Sequence, residues 1–252
     1  MHRDEPALIA PANPTPRTVR IPVLTYHRVH QYATELVKSL PDLTVEPSVF
    51  FAEIEALSHA GYHSISIRQL FDALYHGASL PSKPVLISVD DGYVDDVRSI
   101  LPVLAHFHMR ATFFVITGRI ADAGFLTAAQ MRQLDAAGMD VEDHTQSHVD
   151  LPAQTPSQLV EQVAGSKRAL ESILGHPVSA FAYPFGTYNS AVVDEVRKAG
   201  YALAFTTMAG NSASTSAPLL IPRIHVGRSE TPGGLLSILG GDLSGVSSSS
   251  TG

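Results

Sequence analysis

The 252-residue chain is 44% hydrophobic and 16% charged, lacks Cys and Trp, and carries twelve His at a net charge of −7, which suits one domain with a substantial core. The absence of Cys excludes a disulfide framework, a thiolate zinc site, an iron–sulfur cluster and a cysteine nucleophile. The acidic balance argues against a nucleic-acid or anionic-membrane surface, and histidine is left as the source of metal or acid–base chemistry.

No run reaches the eighteen or so apolar residues of a membrane span, and the first residues hold no apolar stretch long enough for a signal peptide. Pro6, Pro11, Pro14 and Pro16 mark residues 1–18 as a Pro-rich extended arm or linker. Residues 19–240 read as the folded domain, and the Ser- and Gly-rich 241–252 as a flexible tail.

In chain order, VRIPVLTY (19–26) predicts a strand, and Ser48 the cap of a helix carrying Phe51, Ile54 and Leu57 and stopped at Gly61. A weaker strand at 63–66 precedes PVLISV (84–89). Val97, Ile100, Leu101 and Leu104 predict a helical stripe that Pro102 kinks. Strands at 111–117 and 139–143 flank a helix preceded by Thr127 and ending near Gly138. Leu159, Val163, Leu170 and Ile173 mark another helix, and Asn189 caps one that stops at Gly200; strands at 179–184, 202–207 and 220–226 complete the series. Several runs are apolar without alternation, as parallel strands covered on both faces are. Strand and helix alternating in this way predict an α/β barrel or a doubly wound sheet.

In either architecture reactive groups gather at the carboxyl ends of the strands. Asp90-Asp91-Gly92 follows 84–89, His144-Thr145-Gln146-Ser147-His148 follows 139–143, and Pro184-Phe185-Gly186 follows 179–184. Tyr26-His27 and His225 end the first and last strands. Adjacent carboxylates repel, so holding both requires a cation or a shared proton; the plain alternative is a turn-forming Asp-Asp-Gly. If their segment is helical, the i, i+4 spacing of His144 and His148 puts both rings on one face. With Asp91 they form a two-His-one-carboxylate set able to bind a divalent metal and leave positions open. Asp90 is the spare carboxylate, free to take a proton from water. Tyr93, Asp95 and Asp96 read as the start of the next helix, where acids favour the N-terminal dipole.

These residues resemble the polysaccharide deacetylases of the NodB homology type, carbohydrate esterase family 4. The family's first motif, T-F-D-D-G, stands here as Ser88-Val89-Asp90-Asp91-Gly92, its second as His144–His148, and its third, R-x-P-Y-G, as Ala182-Tyr183-Pro184-Phe185-Gly186. The resemblance runs from about Ile21 to Arg228 and is greatest, in PVLTYHRV, FAYPFGTYN, AGYALAFTT and PRIHVG, to the subgroup acting on biofilm poly-N-acetylglucosamine.

The resemblance implies a single-domain, distorted (β/α)-barrel. It implies metal-dependent hydrolysis of N-acetyl groups on an N-acetylglucosamine polysaccharide (poly-β-1,6-linked, peptidoglycan or chitin-like). O-acetyl ester hydrolysis on xylan-type glycans, or glycan binding without catalysis, are the alternatives. One divalent ion is implied, zinc foremost, with Co, Ni, Mn or Fe open, together with an extracytoplasmic location; a monomer is assumed. By the same resemblance Asp90 is the general base, Asp91, His144 and His148 are the metal ligands, and the Phe185 backbone N–H is an oxyanion donor. Two departures stand out. The third-motif arginine is Ala182, as in the biofilm subgroup, and Arg223 is the candidate to supply that cation. The Trp-containing fourth motif is absent, so the general acid falls to His225 in PRIHV, at the fifth motif, with His27 and Tyr188 as site-lining residues. No nucleophile elbow, phosphate loop or dinucleotide fingerprint occurs.

Overall fold

The computed structural model describes residues 6–32 and 41–240; the tail expected at 241–252 lies outside the described residues. Its strands are β1 (Thr18–Arg20), β2 (Val23–Tyr26), β3 (Arg28–Val29), β4 (Thr44–Val45), β5 (His63–Ser64), β6 (Pro84–Asp91), β7 (Thr112–Val115), β8 (Asp140–Asp143), β9 (Ala180–Ala182), β10 (Leu203–Phe205), β11 (Ser212–Ser214) and β12 (Ile224–His225). Seven of them form a parallel sheet in the order β10-β9-β8-β7-β6-β2-β12, and β5 pairs with the amino end of β6. The sheet curls until its two edges meet, where Phe205 bridges Ile221, three residues before β12. This is a distorted (β/α)-barrel closed at one narrow seam. A doubly wound sheet would keep its edges apart.

Parallel strands covered on both faces need apolar residues on both. Leu86, Phe114, Ala180, Leu203 and Ile221 belong to an inner cluster, whereas Ile87, Val89, Phe113, Phe181 and Ala204 join the cluster shared with the outer helices. The helix Ile67–Tyr75 adds Leu70, Phe71 and Leu74 to the inner cluster, and Leu8 from the amino-terminal segment packs with them. Arg17 donates to the carbonyls of Ala73 and Leu74, both at 3.1 Å, tying that segment to the helix end.

Several expectations are corrected. The run 19–26 is two strands, because Pro22 cannot donate to a ladder; β1 leaves the barrel to pair antiparallel with β11. Ser48 is not a cap: the helix Pro47–His59 starts two residues earlier than that cap implies, after Glu46, with Pro at its first position, where a missing N–H costs nothing. Pro102 does lie inside its helical run: a π-turn over Asp96–Ile100 passes without a break into Leu101–His106, so the helix departs from α geometry just ahead of the proline. The run 220–226 keeps only two strand residues, because it crosses the seam. Thr127 and Asn189 do cap their helices, accepting from the backbone N–H of Gln130 and Val192.

Candidate active site

Successive strand residues point to opposite faces. Asp90, two residues after Ser88 and four after the inner-cluster Leu86, therefore faces the barrel interior at the carboxyl end of β6. Asp91 still pairs with Val115, but its φ of 81° turns the chain out of the strand. Gly92 follows at φ 76°, and a Cβ there would meet Val115 Cγ1 at 3.0 Å, so the turn needs glycine for both dihedral and space.

The His144–His148 segment is not a helix, contrary to the condition under which its spacing was read. Thr145 and His148 take φ values of 71° and 52°, so a loop brings the rings to 4.9 Å between centroids. Its root is braced from below. Asp143, fully buried, accepts from the Thr145 N–H and the Ser166 hydroxyl, both at 2.7 Å, and from the Tyr201 hydroxyl. Burial pushes the Asp143 carboxyl up to about 7. The His148 N–H donates to Thr145 Oγ1 at 3.0 Å. Asp143, Ser166 and Tyr201 were not singled out from the sequence, since their pairing spans up to 58 positions.

Asp91 Oδ1 lies 3.7 Å from His144 Nε2 and 3.6 Å from His148 Nε2, and it is buried without a hydrogen-bond partner. His144 Nδ1 donates to the Ala182 carbonyl at 2.7 Å, which leaves the Nε2 lone pair facing Asp91. Burial drives the His144 imidazole down to about 3 and lowers His148 as well, so both rings are neutral at neutral pH. Burial, aided by the neighbouring Asp90 charge, lifts Asp91 to about 6. One ligand atom from each of these three residues lies within 4.8 Å of the others. A buried, unpartnered carboxylate oxygen between two neutral imidazoles is a donor set that fits a divalent metal ion.

Arg223, just before β12, reaches past the neighbouring β2 to Asp90 on β6. Its Nη1 and Nη2 donate to the two carboxylate oxygens at 2.8 and 2.7 Å, and both side chains are almost fully buried. Burial alone would raise Asp90, but the Arg223 charge and hydrogen bonds, with His144 beside them, outweigh it and hold the carboxyl well below the usual carboxylate range. Arg223 Nε also donates to the Thr206 carbonyl at 2.9 Å, fixing the guanidinium plane.

The remaining candidates divide. His27 and His225 meet with ring centroids 5.7 Å apart; His27 Nδ1 is buried without a partner, and burial lowers its pKa. His225 is exposed, with Nε2 at 3.2 Å from the Asp42 carbonyl. The Phe185 ring packs edge-on to His148 at 4.6 Å. Tyr188 packs on Tyr183, 5.6 Å between centroids. Asp95 and Asp96 stand at the start of the next helix as expected, and both are buried. Asp95 accepts from Arg28 at 2.9 and 3.0 Å and faces His30 Nδ1 at 3.1 Å, while burial raises Asp96. Arg28 also lies over the Tyr93 ring, 4.5 Å from its centroid.

With this geometry, residues 77–204 match the polysaccharide deacetylase family. The chain belongs to that family. Streptococcus pyogenes deacetylase PplD, solved in complex with acetate, superposes on this deacetylase with a TM-score of 0.82 at 30% identity, over 89% of this chain and 99% of that one. The Bacillus subtilis protein YxkH, grouped with the polysaccharide deacetylases, is 29% identical over 212 residues, 84% of this chain and 73% of YxkH. A poly-beta-1,6-N-acetyl-D-glucosamine N-deacetylase of Staphylococcus aureus is 24% identical over 227 residues, 81% of this chain and 77% of the relative. Like its relatives, the chain is a hydrolase. No helix among the described residues is long and apolar enough to cross a membrane.

Proposed function

We propose that the domain spanning residues 19–240 removes N-acetyl groups from an N-acetylglucosamine polysaccharide outside the cytoplasm, releasing acetate and a free amine. The observation that carries this reading is the convergence of Asp91, His144 and His148 on one point beside Asp90, a carboxylate kept ionised by Arg223. The Staphylococcus aureus relative's substrate supports a β-1,6-linked glucosamine polymer as the glycan to test first.

Asp91, His144 and His148 would hold a divalent cation, zinc foremost, which when bound polarises the acetyl carbonyl and acidifies a water. Asp90 accepts the water's proton at a carboxylate oxygen. Arg223 keeps that carboxylate ionised and oriented, doing here what the third-motif arginine does in relatives that have one. As the water oxygen bonds to the carbonyl carbon, the Phe185 backbone N–H donates to the developing oxyanion. His225, with His27 beside it, then gives a proton to the departing amine as the C–N bond breaks. The inward-facing, seam-closed rim excludes bulk water on the Arg223 side, which strengthens the Asp90–Arg223 interaction.

Acetate release from defined N-acetylglucosamine oligomers of both linkages, with Zn, Co or Ni supplied, tests the reading. Release that needs both the metal and Asp90 is expected. No release from any oligomer under those conditions overturns it.

A further inference from the structure

The two histidines of the site are aimed by different means. The His144 ring is fixed through Nδ1, which donates to the Ala182 carbonyl at 2.7 Å, the kind of outer bond that usually orients a metal-ligating histidine. The half-buried His148 ring has only its own backbone as a hydrogen-bonding partner among the described residues, and the Phe185 edge supports it without holding a ring nitrogen. Its aim therefore depends on the course of the loop that carries it. That course is not a relaxed one, since Thr145 and His148 take φ values of 71° and 52°, which non-glycine residues keep only when their surroundings impose them.

The loop is hydrogen-bonded along both edges, as an inner strand is. On one edge the Thr117 and Gly118 N–H groups donate to the Thr145 and Gln146 carbonyls at 3.0 and 2.8 Å, and a Cβ on Gly118 would collide with the Gln146 carbonyl. On the other edge a single residue, Gln162, receives two consecutive N–H groups. Its carbonyl accepts from Gln146 at 3.2 Å and its Oε1 from Ser147 at 2.9 Å, while its Nε2 donates to Ser147 Oγ at 3.3 Å. Gln162 lies in a π-turn, Glu161–Gly165, set between the α-helical stretches Pro156–Val160 and Ser166–Leu174. The extra residue of a π-turn displaces the i to i−4 ladder and lets carbonyls bond outside the helix. Val163 does the same as Gln162, accepting from the Tyr201 hydroxyl at 3.3 Å.

We propose that Gln162 is a positioning residue of the metal centre: by holding the Gln146 and Ser147 N–H groups it fixes where His148 meets Asp91, and so sets how tightly the ion is kept. Its side chain secures the residue next to His148 and takes the place of the outer bond that His148 lacks. The inference rests on the deacetylase reading, whose three metal ligands it takes as given.

The test reads the metal rather than turnover. Zinc affinity of the full chain is measured at neutral pH by competition with a chromophoric chelator, and ligand geometry by the visible absorption of the cobalt-substituted protein. Gln162→Ala is expected to weaken zinc binding by about tenfold, the lower end for losing an outer-shell partner, and to alter the cobalt spectrum. Gln162→Glu keeps the acceptor for the Ser147 N–H and should retain both the affinity and the spectrum. Gln162→Met, of similar length without an acceptor, should behave as Gln162→Ala does and serves in its place should that variant not fold. A purely structural role predicts a lower melting temperature of the metal-free protein with affinity and cobalt spectrum unchanged, and that result overturns the proposal. Equal loss in Gln162→Glu and Gln162→Ala overturns it too. Wild-type protein that binds zinc while the Ala and Met variants bind it equally well sinks this inference alone; wild-type protein that binds no divalent metal sinks the deacetylase reading with it.

Discussion

Replacing Arg223 by Met removes a buried cation of similar length and leaves Asp90 as a buried carboxylate with no counter-charge. In the native fold two charge-assisted hydrogen bonds of 2.7 and 2.8 Å hold it. Breaking a buried pair on one side costs about 3 to 5 kcal/mol. If Asp90 escapes that cost by taking a proton, its titration rises by about 2 to 4 pH units, at 1.36 kcal/mol per unit. The wild-type carboxyl is depressed, so its stabilisation is fully present above the unfolded value near 3.9 and is lost only as pH falls through the lower folded value. In the variant burial acts unopposed by Arg223, and stability falls as pH rises above the unfolded value. The gap between the two proteins should close only as pH falls towards the depressed wild-type value, be open already near pH 4, and be widest near pH 7.5, by about 3 kcal/mol or more in urea denaturation. The acid limb of acetate release should move up with it. An acid limb that stays in place, together with a gap independent of pH, would refute the electrostatic account of Asp90.

Other outcomes follow from the same geometry. His144→Ala should reduce bound metal, read by elemental analysis, from near one equivalent to a small fraction, because the loop and Asp91 alone offer two ligands. Asp90→Asn should keep the metal and lower kcat by about 10²- to 10⁴-fold, the range for losing a general base; full activity would remove Asp90 from that role. Gly186→Ala should lower the melting temperature and impair turnover together, since its Cβ would sit 2.0 Å from Thr207 Oγ1 at a φ of 71°. Glu142 accepts from the Ser179 and Ala180 N–H groups at 2.9 and 2.7 Å, and burial raises it to about 8. Its folded form therefore holds a proton that the unfolded chain has already released. From about pH 6.5, where histidines are largely neutral in both states, to about 8, stability should fall by on the order of 2 kcal/mol, and Glu142→Gln should flatten that slope.

The sequence alone carried the alternation of apolar runs, the Asp-Asp pair and the two histidines, because each is a local pattern written within a few residues. It also located the cap at Asn189 and the residue Thr127 ahead of a helix, each of which accepts from an N–H three residues on. The family motifs added the roles of those residues and pointed to Arg223 as a replacement cation. Whether Arg223 reaches Asp90 depended on β12 pairing with β2 and β2 with β6, contacts between distant segments that no local pattern encodes. The choice between a barrel and a doubly wound sheet was open for the same reason: both have the same strand–helix rhythm and differ only in whether the edges meet. The i, i+4 spacing would put His144 and His148 on one face only in a helix, but a loop with two left-handed residues converges them instead, braced by Asp143, Ser166 and Tyr201 from three separate stretches of the chain. The acids at 95 and 96 were legible as a helix start, but only packing shows them enclosed, with Asp95 paired to Arg28. Residue identity determined which chemistry was available, and tertiary closure decided which groups are buried, paired and aimed at one another, because burial and charge pairing arise only between elements distant in the chain.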